Sequence, residues 1–153
     1  MRKTLVNALI LPHIDYCSAL NGIGTVLDKA LQRLVNKGVR YILGLPWDSP
    51  ISQARNELGW LTTSKVRARV LIMIVRKALI ERTPSYLADL IAVYTAARNL
   101  RSLSSSTTLV IPQHRIEACK ASFAVAAPYV WNDLPESIRS IRCTTTFKQE
   151  LHK

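Results

Sequence analysis

Thr25-Val-Leu-Asp-Lys-Ala-Leu-Gln-Arg-Leu-Val-Asn-Lys-Gly-Val-Arg-Tyr-Ile-Leu-Gly44 decides the fold class of this chain. At about 100° per residue, Lys29, Arg33, Lys37 and Arg40 fall within about 80° of one another. Leu27, Ala30, Leu31, Leu34, Val35, Tyr41 and Ile42 gather on the other side. Both ends are written into the stretch: Thr25 and Asp28 approximate a capping box, Gly44 is a stop, and Pro46 lies beyond it. The stretch reads as an amphipathic helix whose four cations share one face, the geometry of a helix lying along something anionic. Gly38 falls on the apolar face, where it lowers helix propensity and permits close approach of another helix.

Working outward, the punctuation divides the rest into further helices. Thr4 to Leu11 is helix-compatible until Pro12, and Asn21, Gly22 and Gly24 mark a connection. Ser49 before Pro50 predicts an N-cap and first-turn pair for a shorter helix running to Leu58, with Gly59 as its stop. A third long helix is expected from about Ser64 to Arg82, ended by Pro84. Its Val70-Leu-Ile-Met-Ile-Val75 run is apolar on every side, so it should be the most buried element. Lys65, Arg69 and Arg76 form a second cationic line on it, within about 40°. Thr83 and Pro84 can cap a short helix over Tyr86–Ala92.

Residues 95 to 108 are polar and serine-rich and read as a surface loop. Leu109-Val110-Ile111 is a candidate strand whose partner the sequence does not identify. Ala121 to Asn132 reads as helix, with Pro128 kinking it or starting a second piece. Thr146 to His152 is expected to add a last turn or two. The fold class is therefore mainly α: a helical bundle-like domain with a polar loop and at most one or two short strands. Its divisions fall at residues 1–94, a loop over 95–112, and a helical extension over 113–153.

Composition points to the same kind of partner as the stripe. The 153 residues carry 21 Lys and Arg against 10 acids, a net charge of +11, with pI near 10.1. Nucleic acid is the first partner to test, and an anionic membrane surface the second. Apolar content of 48% with 20% charged residues is globular, and the length suits a sizeable core. Met1-Arg2-Lys3 before Leu5–Leu11 superficially resembles a signal peptide, but Asn7 interrupts the run, Pro12, His13 and Asp15 end it, and no small-x-small cleavage site follows. The Val70–Val75 run is too short to span a bilayer. Cys17, Cys119 and Cys143 are odd in number and widely spaced, which favours reduced thiols in the cytosol or nucleus over a disulfide framework.

Signals for chemistry are weak. His13 and Cys17 stand four apart, with His114 and Cys119 as conceivable further ligands, but no standard zinc spacing is present and no metal or other cofactor is expected. No cleft-forming pattern accompanies a Cys–His pair. Trp47, Trp60 and Trp131 each sit beside Pro, Gly or apolar neighbours, where packing is a commoner use than stacking on bases.

A resemblance adds to this reading. Asn7-Ala-Leu-Ile-Leu-Pro-His-Ile-Asp-Tyr-Cys-Ser18, Leu31-Gln-Arg-Leu-Val-Asn-Lys37 and Ile42-Leu-Gly-Leu-Pro46 resemble the segment that follows the polymerase core in non-LTR (LINE, Jockey-like) retrotransposon reverse transcriptases. Glu57-Leu-Gly-Trp-Leu61, Pro84-Ser-Tyr-Leu87, Arg98-Asn-Leu-Arg-Ser102 and Phe123-Ala-Val-Ala-Ala-Pro-Tyr-Val-Trp-Asn-Asp-Leu-Pro135 follow in that family's order. Leu20-Asn21-Gly22 departs from the family, which usually has an aromatic before this glycine. The resemblance implies a thumb-like helical region over 1–94 and an extension, apart from the catalytic palm. It implies RNA, DNA or an RNA–DNA hybrid as partner, gripped by its backbone, with a polymerase palm domain as a second partner.

That family's polymerase site needs clustered aspartates for two metals. Here Asp15, Asp28, Asp48, Asp89 and Asp133 stand apart in the sequence, and no Tyr-x-Asp-Asp is present, so no intrinsic catalysis is expected. Lys29, Arg33, Lys37 and Arg40, then Lys65, Arg69 and Arg76, are the candidate phosphate-binding residues. The alternative is a relic helical interaction module without retained nucleic-acid binding, its apolar surface favouring self-association.

Overall fold

Helix α3 (Thr25–Leu43) stops where the sequence places its stop. Gly44 takes φ +67°, and the Leu45 N–H donates to the Arg40 carbonyl at 3.1 Å. This bond uses a carbonyl that the last turn would otherwise leave unpaired. Gly59 serves helix α4 (Ile51–Glu57) in the same way, with φ +71° and the Trp60 N–H on the Arg55 carbonyl at 3.0 Å. A β-carbon at either position would be strained, so glycine is the residue that fits.

The computed structural model describes residues 1–16, 18, 25–95 and 107–151. Cys17, the expected connection at Asn21, Gly22 and Gly24, and most of the serine-rich loop lie outside the described residues. Among those described, the chain is mainly α-helical with a single isolated β-bridge and no sheet, as the periodicity predicts. It divides into two compact units, Met1–Val70 and Leu71–Lys153. The division falls inside helix α5 (Thr63–Glu81) instead of at the serine-rich stretch. The reason is the all-round apolar run of α5, whose Leu71, Ile72, Val75 and Ala78 join one core with Ala126, Ala127, Trp131 and Phe147. Residues of the 113–153 stretch thus share their core with the second half of α5.

In the first unit, α1 (Arg2–Leu9) and α2 (Leu11–Asp15) replace the single expected helix. Pro12 lies in the first turn of α2, where its missing N–H costs nothing. Pro50 occupies the cap position of α4 in extended conformation, and no side chain caps that helix, so Ser49 does not act as the expected N-cap. Val6 of α1, Val35 and Val39 of α3, and Ala54 of α4 are buried. Gly38 is the point of closest approach: a β-carbon there would sit 3.2 Å from Val6 Cγ1 and 3.7 Å from the Trp60 ring. Replacing Gly with a better helix former gains about 1 kcal/mol, but a branched side chain has no room. G38L is expected to destabilise by about 1–3 kcal/mol through overpacking, measured by urea denaturation, whereas G38A should lie near neutral.

In the second unit, α6 (Ser85–Ala88) is shorter than expected because the chain must extend to pair. Val93 and Leu109 form the antiparallel bridge, with the Tyr94 N–H on the Thr108 carbonyl and the Val110 N–H on the Ala92 carbonyl, both at 2.8 Å. The strand partner that the sequence leaves unidentified is thus Ala92–Tyr94. The side chain of Asn132 accepts from the Leu109 N–H and donates to the Leu109 carbonyl, each at 2.9 Å. Trp131 Nε1 donates to the Thr107 carbonyl at 2.8 Å. Pro128 lies buried inside helix α8 (Phe123–Asn132) and does not start a second piece. Helix α10 (Thr144–Glu150) begins slightly earlier than the sequence suggests. The one-turn helices α7 (Glu117–Lys120) and α9 (Glu136–Arg139) are additional to the expected elements, since four residues are too few to display a period.

Candidate nucleic-acid interface

Lys29, Arg33 and Lys37 are exposed along one side of α3. The acid nearest to them in sequence, Asp28, is engaged elsewhere. Its carboxylate accepts from Thr63 Oγ1 at 2.9 Å and from the Arg67 guanidinium. Burial pushes this carboxyl up, but the bonds from Thr63 and Arg67 and the Arg67 charge more than offset it and hold the pKa below the ordinary value. Gln32 extends the contact, accepting from the Thr63 N–H at 2.9 Å and donating to Asn36 Oδ1 at 2.9 Å. One polar edge of α3 is thereby fastened to the start of α5.

Among the described residues, Lys29, Arg33 and Lys37 have no ion-pair partner. Like charges at i,i+4 cost roughly 0.2–0.5 kcal/mol per pair. Helix packing must offset that cost, and a bound anion would remove it.

Arg40, the fourth member, is only partly exposed and turns to lie over the ring of Trp47, 4.9 Å from the centroid. Trp47 is 72% exposed, so the expectation of packing fails for this tryptophan. It holds for Trp131, which is buried and stacked near Phe147 with centroids 6.2 Å apart. Trp60 lies against the Gly38 face of α3. Tyr41 is also exposed, with the Arg2 guanidinium 5.6 Å from its ring centroid and Arg2 Nη1 donating to the Tyr41 carbonyl at 3.5 Å. The C-terminal end of α3 therefore combines two arginines with two exposed rings. The cations also suit the partial negative charge of a helix C-terminus. The sequence signal for Trp47 was its place in the turn Pro46-Trp-Asp-Ser49, between two helices whose stops were legible.

The apolar face of α3 is wider than what covers it. Val35, Gly38 and Val39 are buried, and Leu31 and Ile42 are partly so. Leu27, Ala30, Leu34 and Tyr41, expected on the buried side, are exposed, Leu27 by 61%.

The second cationic line separates into different roles. Lys65 is exposed in the first turn of α5, its N–H bonded to Thr62 Oγ1 at 3.3 Å. Arg69 is partly buried and lines a cavity of about 250 Å³ with His13, Asp15, Leu31, Trp60 and Arg67. Burial there raises the Asp15 pKa, and the Arg69 charge pulls it back. Arg76 is corrected outright as a phosphate ligand. It is 3% exposed in the second unit, and its guanidinium donates to the Ile141 carbonyl at 2.5 Å and to the Arg142 carbonyl. It also lies 4.3 Å from the Phe147 ring centroid. Helical spacing aligned it with Lys65 and Arg69, but the helix passes from one unit to the other between them.

Among the described residues no three His, Cys, Asp or Glu side chains cluster as a metal site, and Cys17 lies outside them. No described helix is long and apolar enough to cross a membrane. Comparison with family models, curated proteins and solved structures gave no match to this chain.

Proposed function

We propose that this chain is a non-catalytic nucleic-acid-binding module resembling the post-palm, thumb-like region of a non-LTR retrotransposon reverse transcriptase. Lys29, Arg33 and Lys37 neutralise successive phosphates along α3, with Arg40 at the end of the row. The observation that carries this reading is the exposure of the three cations without an acidic partner among the described residues, beside an Asp28 committed to Arg67 and Thr63. Backbone contacts of this kind neutralise charge and release counterions without reading sequence. The partner is RNA, DNA or an RNA–DNA hybrid.

Binding to a labelled RNA–DNA hybrid across a salt series tests the proposal. Affinity is expected to fall steeply with salt, and K29Q/R33Q/K37Q should lower the slope of log K against log salt by about 2–3, close to one for each phosphate no longer neutralised. A folded chain that binds neither the hybrid nor a single strand at low salt, or a variant with an unchanged slope, would refute it.

A second reading has one observation of its own, the exposed Val26, Leu27 and Leu34 of α3. In it the chain is a helical interaction module that associates through apolar surface. Such association does not weaken as salt rises, so the same series separates the two.

A further inference from the structure

Of the three tryptophans, Trp47 is the exposed one. It stands in the turn after α3, where the Ser49 N–H donates to the Pro46 carbonyl at 3.3 Å, and it is 72% exposed. Burying a tryptophan is among the most favourable contributions a side chain can make, and this unit leaves the opportunity unused. The contact it does make is with Arg40, whose guanidinium lies 4.9 Å from the ring centroid. Arg40 Nε is buried and has no hydrogen-bond partner among the described residues, so the ring contact is not accompanied by a hydrogen bond at that atom.

Tyr41 repeats the arrangement. It is 53% exposed, with the Arg2 guanidinium at its ring. Lys37 and Tyr41 are one turn apart on α3, at the edge where the cationic and apolar sides meet, and Arg40, the last cation of the row, lies over the Trp47 ring.

We propose that the rings of Trp47 and Tyr41 are stacking platforms for unpaired bases, and that the ligand of the α3 surface is therefore single-stranded nucleic acid or the single-stranded end of a duplex. This rests on the phosphate-binding reading above and narrows it. In a duplex the base faces are already stacked, and an exposed ring beside a phosphate track gains little from them. In a single strand each base offers a free π-face, which is why a cationic track interleaved with aromatic rings selects unpaired strands without reading sequence. A cation on one face of each ring adds to the attraction and holds the ring in place. Lys29, Arg33 and Lys37 follow the backbone, and the two rings take bases where the track ends.

The test compares a labelled oligothymidylate with a blunt duplex of mixed sequence, by anisotropy at fixed low salt. W47A is expected to weaken single-strand binding about 5- to 100-fold and duplex binding less than about 2-fold. W47F, which keeps a ring against Arg40, should recover most of the loss. Because Trp47 is exposed, neither change should alter the circular dichroism spectrum. Equal single-strand affinity in W47A and the parent chain, with K29Q/R33Q/K37Q still weakened, would overturn the stacking inference and leave the phosphate reading intact. Absence of salt-dependent binding to either ligand would overturn both. A W47A chain that changes its sedimentation behaviour while nucleic-acid binding is unaffected would assign the ring to a protein partner instead.

Discussion

R76A is expected to destabilise the second unit by about 3–5 kcal/mol, a large share of the stability of an ordinary domain. Arg76 is a buried cation with no ion pair among the described residues, fastened by the carbonyls of Ile141 and Arg142 just before α10. Hydrogen bonds to a charged group contribute roughly 1.5–3 kcal/mol each. Truncation to alanine removes both bonds and leaves a void beside Phe147. Burial lowers the Arg76 pKa, opposed by the Cys143 and Glu81 charges, but an arginine stays protonated under ordinary conditions. R76K keeps the charge but has no planar fork to span two carbonyls, so its loss should be intermediate. Urea denaturation followed by tryptophan emission measures these differences. An R76A chain within about 0.5 kcal/mol of the parent would show that these carbonyls are satisfied without the guanidinium.

F147A is expected to cost about 3–5 kcal/mol by the same measurement. Phe147 is fully buried, stacked near Trp131 on one side and faced by Arg76 on another. Its loss opens a cavity where α5, α8 and α10 meet and removes the surface on which the Arg76 guanidinium rests. The two sites touch, so their effects should not add. The R76A/F147A double variant is expected to fall short of the summed losses by about 0.5–3 kcal/mol. Strict additivity would mean that Phe147 and Arg76 contribute independently.

The long helices were legible because their signals are local. Gly44 and Gly59 terminate α3 and α4 with the positive φ that glycine permits, and the uninterrupted run from Thr63 to Glu81 forms α5 as expected. Fine placement was less legible where a residue serves two possible ends. Pro12 reads equally as a stop or as a first turn, and only packing decides. The bridge partner of Leu109 lies 16 residues earlier in the chain (109 − 93), and no local pattern encodes a pairing of that range.

The candidate interface shows the same contrast. Periodicity placed Lys29, Arg33 and Lys37 on one exposed side correctly, since a charge on a long amphipathic helix has little choice of face. It misjudged Arg76, because spacing along α5 does not reveal which packing partner surrounds each turn. It also misjudged Trp47, because composition alone does not tell a packed ring in a turn from an exposed one. The wide apolar arc of α3 reads as a single buried face, whereas the first unit covers only the part around Val35 and Val39.

The Val93–Leu109 bridge has a consequence for how the chain tolerates a break in its backbone. It brings the two ends of the intervening segment together through the paired backbone of Tyr94 and Thr108, and Asn132 and Trp131 hold the returning strand from behind. The clasp is held by backbone bonds on both of its sides and by the side chains of Asn132 and Trp131, so it fastens these two stretches of chain to each other and to α8 independently of the covalent connection between them. A chain nicked by a protease between residues 95 and 107 would accordingly stay in one piece, its two fragments held by the clasp.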